Sequence, residues 1–152
     1  MTIAEATNQV REWMKLFGQE TPEKPTLPHV DLRDLRYSLN EEENQELFDA
    51  ETTVKALDAI ADLLYTVHGA AVAYGFTGAQ VEAAFKEVHR SNMSKMWTEE
   101  EIRFQLNYND GIGIIKETCD GSGYAVVRED GKIIKSPSYS PAKLDKIVEG
   151  EE

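Results

Sequence analysis

"RYSLNEEENQELFDAE", residues 36–51, places glutamates at positions 41, 42, 43 and 46 of a stretch with helical character. Like charges this close repel, so either water solvates them all or a cation sits among them. An α-helix turns about 100° per residue, which sets Glu42 and Glu46 about 40° apart and widens the arc to about 100° with Glu43. Glu41 points the other way, toward solvent. The following helical stretch, "ALDAIADLLYTVHGAAVAYG" (residues 56–75), carries Asp58 and Asp62 four apart on one side. Aspartate is a poor helix former. Buried without a partner it is costly, or it takes up a proton. A divalent cation removes that cost. Oxygen donors without sulfur or imidazole favour magnesium, with manganese as a substitute. Facing carboxylates on two helices of a bundle are one way to hold such an ion. The plainer reading, a solvated acidic face, remains open for the first cluster taken alone.

The rest of the chain reads outward from this pair. Residues 3–17 form a first helix with Val10, Trp13, Met14 and Phe17 at helical spacing. "GQETPEKPTLPHVD" follows as a proline-rich connector. Asp31 is the expected cap of a second helix reaching about Ala50, with Leu32, Leu35, Leu39 and Leu47 on its apolar side. A third helix spans about Thr52 to Tyr74, with Leu57, Ile60, Leu64 and Val67 as its main stripe and Gly75 as terminator. Its small residues, among them Ala59, Gly69, Ala70 and Ala73, permit close approach by more than one neighbour. A fourth helix begins after Thr77, with Val81, Ala84, Phe85 and Val88 as its buried stripe. Beyond Trp97 a short helix and a loop are expected. "YAVVREDGKIIKS" then reads as a β-hairpin around Asp130-Gly131. "SPAKLDKIVEG" closes the chain as a helix capped by Ser140 with Pro141 at its first position. The expected fold is an all-α bundle of four to five helices with a small C-terminal hairpin. It forms a single domain over residues 1–152, with its core at about 30–95 and the hairpin and tail at about 123–150.

Composition bounds the function. The 152-residue chain has a net charge of −12, which disfavours a nucleic-acid polymer as partner. Asp62 and His68 interrupt the longest apolar run, so no membrane span is expected. The start lacks the basic-then-apolar pattern of a signal peptide. With Cys119 as the one cysteine, a reducing cytoplasm is the expected compartment. His68, set among apolar residues, reads as a packed core histidine.

Four segments in order, "LRYSLNEEENQEL", "ALDAIADLLYTVHGAAVAYG", "FKEVHRSNMSK" and "DGKIIKSPSYSPAKL", carry a resemblance. The chain resembles the MazG-like nucleoside triphosphate pyrophosphohydrolases. Their all-α superfamily includes dimeric dUTPases and phosphoribosyl-ATP pyrophosphohydrolase. The resemblance implies magnesium-dependent cleavage between the α and β phosphates, giving a nucleoside monophosphate and pyrophosphate, in nucleotide-pool sanitation or dUTP control. It implies Glu42, Glu43, Glu46 and Asp62 as metal ligands, with Glu43 also positioning or deprotonating the attacking water. The family's ExxD frame has Ala59 where a glutamate is usual, and Asp58 is the nearby substitute. Asn92, Lys95 and Lys135 are the implied phosphate contacts, with Arg90 a weaker candidate. Arg36 either reaches a phosphate or pairs with an acid. A homodimer is implied as well. Two alternatives stand beside this reading: hydrolysis of phosphoribosyl-ATP, and a non-catalytic dimeric binding module.

Overall fold

A computed structural model describes residues 1–108 and 113–150. The part of the expected loop at 109–112 lies outside the described residues. The elements are α1 (Ile3–Leu16), α2 (Val30–Asp49), α3 (Thr53–Ala73), α4 (Gly78–Met93), α5 (Glu99–Tyr108), β1 (Ile114–Glu117), β2 (Tyr124–Val127) and α6 (Asp145–Glu149). The fold is mostly helical with one small antiparallel hairpin, as the sequence pattern predicts. It divides into two compact units, Met1–Ala84 with Asp145–Glu152, and Phe85–Leu144, the boundary falling inside α4.

In the first unit, local chemistry sets the helix starts. Thr2 and Glu5 form a reciprocal capping box at α1. Thr52 Oγ1 accepts from the Lys55 amide at the head of α3, and Thr77 does the same for Gln80 at α4. The cap of α2 is His29, whose ring nitrogen accepts from the Leu32 amide, rather than the expected Asp31. Asp31 instead sits in the first turn, where a carboxylate suits the positive helix end. Arg11 pins the connector: its guanidinium donates to the Pro22 carbonyl at 3.0 Å and to the Phe76 carbonyl at 2.9 Å.

Helix α3 packs against both α1 and α2. The core is small: Val10, Met14, Val72 and Ala73, with Leu32 against them. The packed side of α3 is built from Ala59, Gly69, Val72 and Ala73. The stripe expected to be its core side is instead open: Leu57 is 68% exposed, Leu64 58%, Val67 49% and Ile60 43%, with Val54 beside them at 77%. The physical reason is size. Small side chains let helix backbones approach closely, so α1 and α2 took the alanine and glycine side and left the bulky side bare. Phe48 on α2 and Phe17 on α1 are exposed too, against expectation.

In the second unit, Trp97, Ile102 and Val126 form the core, with Ile115, Tyr124 and Ile134 packed on them. The Trp97 indole N–H donates to the Ile134 carbonyl at 3.2 Å. The Phe85 and Val88 stripe of α4 is exposed here. Strand β2 pairs with β1 in the register Ile114↔Val127 to Glu117↔Tyr124, so the hairpin's first strand comes from the stretch expected to be a loop. The expected turn at Asp130-Gly131 does form, but it leads only to an isolated bridge between Val127 and Ile133. The last helix is also shorter than expected. It starts at Asp145, and Ser140 and Pro141 lie ahead of it. Ser140 is held elsewhere, its amide donating to Ser94 Oγ at 2.9 Å.

Candidate functional site

The first unit contains a cavity of about 410 Å³ whose wall includes Trp13, Gln19, Arg36, Glu43, Asp62 and Tyr65. Glu43 comes from α2 and Asp62 from α3, so two packed helices bring their carboxylates to one hollow. Burial pushes the Glu43 carboxyl above the usual carboxylate range. The negative charges of Asp62, Glu46, Glu42 and Asp58 then add to the shift. The other four expected metal ligands are therefore within electrostatic reach of Glu43. None of the five has a hydrogen bond or ion pair among the described residues, whereas Glu41 just beside them accepts from Tyr37 at 2.8 Å.

Such a set fits a hard divalent cation in donor chemistry, since all five side chains are carboxylates and none has a cationic partner among the described residues. It is not a closed cage. Among the described residues no three acidic, histidine or cysteine side chains already converge at ligand distance. Magnesium keeps several waters and takes phosphate oxygens as ligands, so an open carboxylate fork is the form such a site takes. Ala59 is buried on the packed side, where no glutamate side chain could fit without displacing a neighbour.

Two aromatic rings stand on the cavity wall. Trp13 meets Tyr65 edge to face at 6.0 Å and Phe17 at 4.8 Å. Thr66 Oγ1 donates to Asn40 Oδ1 at 2.7 Å behind the acids. Arg36 is 6% exposed and pairs with no carboxylate, so neither sequence expectation for it, a phosphate contact or an ion pair, is seen directly. Burial lowers its pKa, but a guanidinium stays charged. Its Nη2 donates to Gln19 Oε1 at 2.7 Å. Gln19 went unnoticed in the sequence. It reaches the site because Gly18, at φ 69°, ends α1 in a left-handed turn that returns the Gln19 amide to the Met14 carbonyl. No local pattern marks that closure. His68 is half-buried and bonded to Thr7 Oγ1 at 2.9 Å, a packed histidine as expected.

The other expected phosphate contacts belong to the second unit, where they lie together. Lys95 Nζ donates to Asn92 Oδ1 at 2.7 Å, and Lys135 Nζ lies 4.3 Å from the Tyr139 ring centroid. A hydrogen bond from Ser91 lowers the Tyr139 pKa most, and the charges of Lys135 and Lys95 lower it further. Arg90 is not free for a phosphate: it forms a two-pronged ion pair with Glu87 at 2.8 Å.

An all-α fold with carboxylates from two packed helices at a nucleoside-sized hollow is the architecture of the helical nucleotide pyrophosphohydrolases. The family model for phosphoribosyl-ATP pyrophosphohydrolase (PRA-PH) matches residues 10–92, from within α1 almost to the end of α4, and the chain belongs to that family. Comparison with curated proteins gives no match.

Proposed function

We propose that the chain is a magnesium-dependent nucleotide pyrophosphohydrolase that cleaves between the α and β phosphates. One observation carries the proposal: four carboxylates of α2 and α3 act electrostatically on a fifth, Glu43, none has a cationic partner among the described residues, and Glu43 and Asp62 line a cavity. Magnesium, when bound, would neutralise the triphosphate and acidify a water. Glu42, Glu46, Asp58 and Asp62 hold the cation. Glu43, whose raised pKa suits a general base, accepts the proton as the water oxygen bonds to phosphorus. The bridging P–O bond breaks and pyrophosphate leaves. Lys95, Lys135 and Asn92 are our candidates for contacts to that leaving group.

Two substrates are in contention. Phosphoribosyl-ATP has the family match on its side. Canonical or modified nucleoside triphosphates are the MazG-like reading, and the one cationic side chain on the cavity wall, Arg36, could serve either substrate. We further propose that a second copy covers the open side of α3, where Val54, Leu57 and Leu64 are all more than half exposed. A cytoplasmic setting accords with the exposed free thiol of Cys119.

The experiment is pyrophosphate release from phosphoribosyl-ATP and a panel of nucleoside triphosphates, with and without magnesium. Magnesium-dependent release that vanishes in Glu43→Gln supports the assignment. No release from any nucleotide, together with no thermal shift on adding magnesium, points instead to a non-catalytic binding module.

A further inference from the structure

Arg36 is the anomaly of the first unit. Its guanidinium has five N–H donors and no acceptor of its own. Among the described residues it finds two acceptors, Gln19 Oε1 at 2.7 Å and the Met14 sulfur at 3.8 Å, both through Nη2. Nε is buried with no partner at all. A buried guanidinium left this way is costly, because each lost hydrogen bond to water goes unreplaced. The surroundings nevertheless hold the group in place. Gly69 on α3 leaves room for it, since a Cβ there would stand 3.0 Å from Nη1. Gln19 steadies the other side, and the α1 C-terminal turn fixes Gln19.

The position of this group matters. Arg36 precedes Glu43 by seven residues on one helix, or about 10 Å along the axis. Both line the same cavity. The proposed function puts phosphates at the carboxylate end, so the rest of the nucleotide extends toward Arg36, past Trp13 and Tyr65 on the cavity wall. The span is comparable with the reach from an α-phosphate to the far edge of a base. Gln19 turns its carbonyl oxygen toward Arg36, so the guanidinium is the charged feature at that end of the cavity.

The geometry points to a specificity device: Arg36, positioned by Gln19, selects a nucleotide whose far end offers oxygen acceptors, and disfavours unmodified adenine. Adenine has only ring nitrogens as acceptors, with an amino donor set beside them, whereas uracil, thymine and guanine offer carbonyl oxygens. A phosphoribosyl arm on the base would offer phosphate oxygens, the same chemistry from a second source. The inference rests on the pyrophosphohydrolase reading for the direction in which the nucleotide lies.

Binding of products separates the two claims, because it needs no turnover. Calorimetric titration with UMP, GMP, AMP and phosphoribosyl-AMP, in magnesium, should show about tenfold or greater preference over AMP. Preference for UMP or GMP assigns the carbonyl edge, and preference for phosphoribosyl-AMP alone assigns the phosphate. Arg36→Met and Arg36→Lys should each collapse the preference, since lysine keeps the charge but not the fork. Gln19→Met, at a half-buried position, should weaken it and guards against misfolding of the Arg36 variants. Equal binding of all four, no binding of any, or a preference that survives these substitutions overturns the inference. Selective binding without turnover of any triphosphate overturns the proposed reaction alone. Turnover without selectivity overturns the role of Arg36 alone.

Discussion

Two groups of acids, one in each unit, are treated in opposite ways. In the second unit Glu87, Asp120, Asp130 and Glu101 are partnered. Glu87 is pulled down to about 2 by Arg90 and the Lys143 amide, and Asp120 to about 2 by Ser122 and Thr118. Asp130 is lowered by Arg128, and Glu101 by the Thr98 and Ser138 bonds that outweigh its burial. In the first unit the carboxylates around Glu43 have no such partners, and the Glu43 pKa moves up instead. The bulky side of α3 is bare as well. Carboxylates with depressed pKa values hold a fold together. Clustered carboxylates with a raised one are held in place by the fold at a cost, which is the ground for the cation proposed above.

The sharpest way to break this contrast is at Glu43. Glu43→Gln should cut pyrophosphate release by about a hundredfold or more, the usual worth of a general base, with the circular dichroism spectrum unchanged. An equal loss from Glu41→Gln would show that position on the cluster does not matter. Next in size, Leu57→Asp with Leu64→Asp should leave a species near 17.1 kDa in sedimentation at micromolar concentration, where the parent chain runs at twice that mass. A parent chain that already sediments as a monomer removes the second-copy proposal.

Magnesium should raise the melting temperature by several degrees at saturating concentration, and the shift should depend on pH with a definite sign. The Glu43 carboxyl is raised, so its ionised form destabilises the metal-free fold as pH climbs above the unfolded value. Magnesium cancels that cost. The thermal shift should therefore grow from pH 4.5 to pH 7, and it should be smaller and flatter in Glu43→Gln. The mildest effect is expected in the second unit. Glu87 has a depressed pKa, so its contribution is fully present above its ordinary value of 4.5 and is lost as pH falls toward about 2. Glu87→Gln should lower the melting temperature slightly at pH 7 and leave it unchanged at pH 2. Magnesium should make no difference to that result.

Much of this was legible in the residues. Helical spacing located α1, α2, α3 and α4, and threonines at positions 52 and 77 marked two of their starts. The acidic pattern itself singled out Glu43 and Asp62, the two carboxylates that line one cavity. What periodicity could not tell was which side of α3 the rest of the chain would cover. Leu57 and Leu64 advertise a wish to be buried, but hydropathy does not name the surface that buries them, and the smaller Ala59 and Gly69 won the contact within the chain. Strand β1 was hidden because glycines and mixed polarity surround Ile114 and Ile115, and its pairing with Tyr124–Val127 is decided across a turn. Gln19 was invisible for a similar reason: its role arises from how the chain doubles back after α1.

Helix α3 carries its aspartates and its bare leucines on one stiff rod. Any neighbour that grips the leucine flank also sets the angle at which Asp58 and Asp62 are presented. With a second copy as that neighbour, the assembly proposed above, dilution should act as a brake: turnover per molecule would drop as copies drift apart, and the chain's own abundance would serve as its throttle.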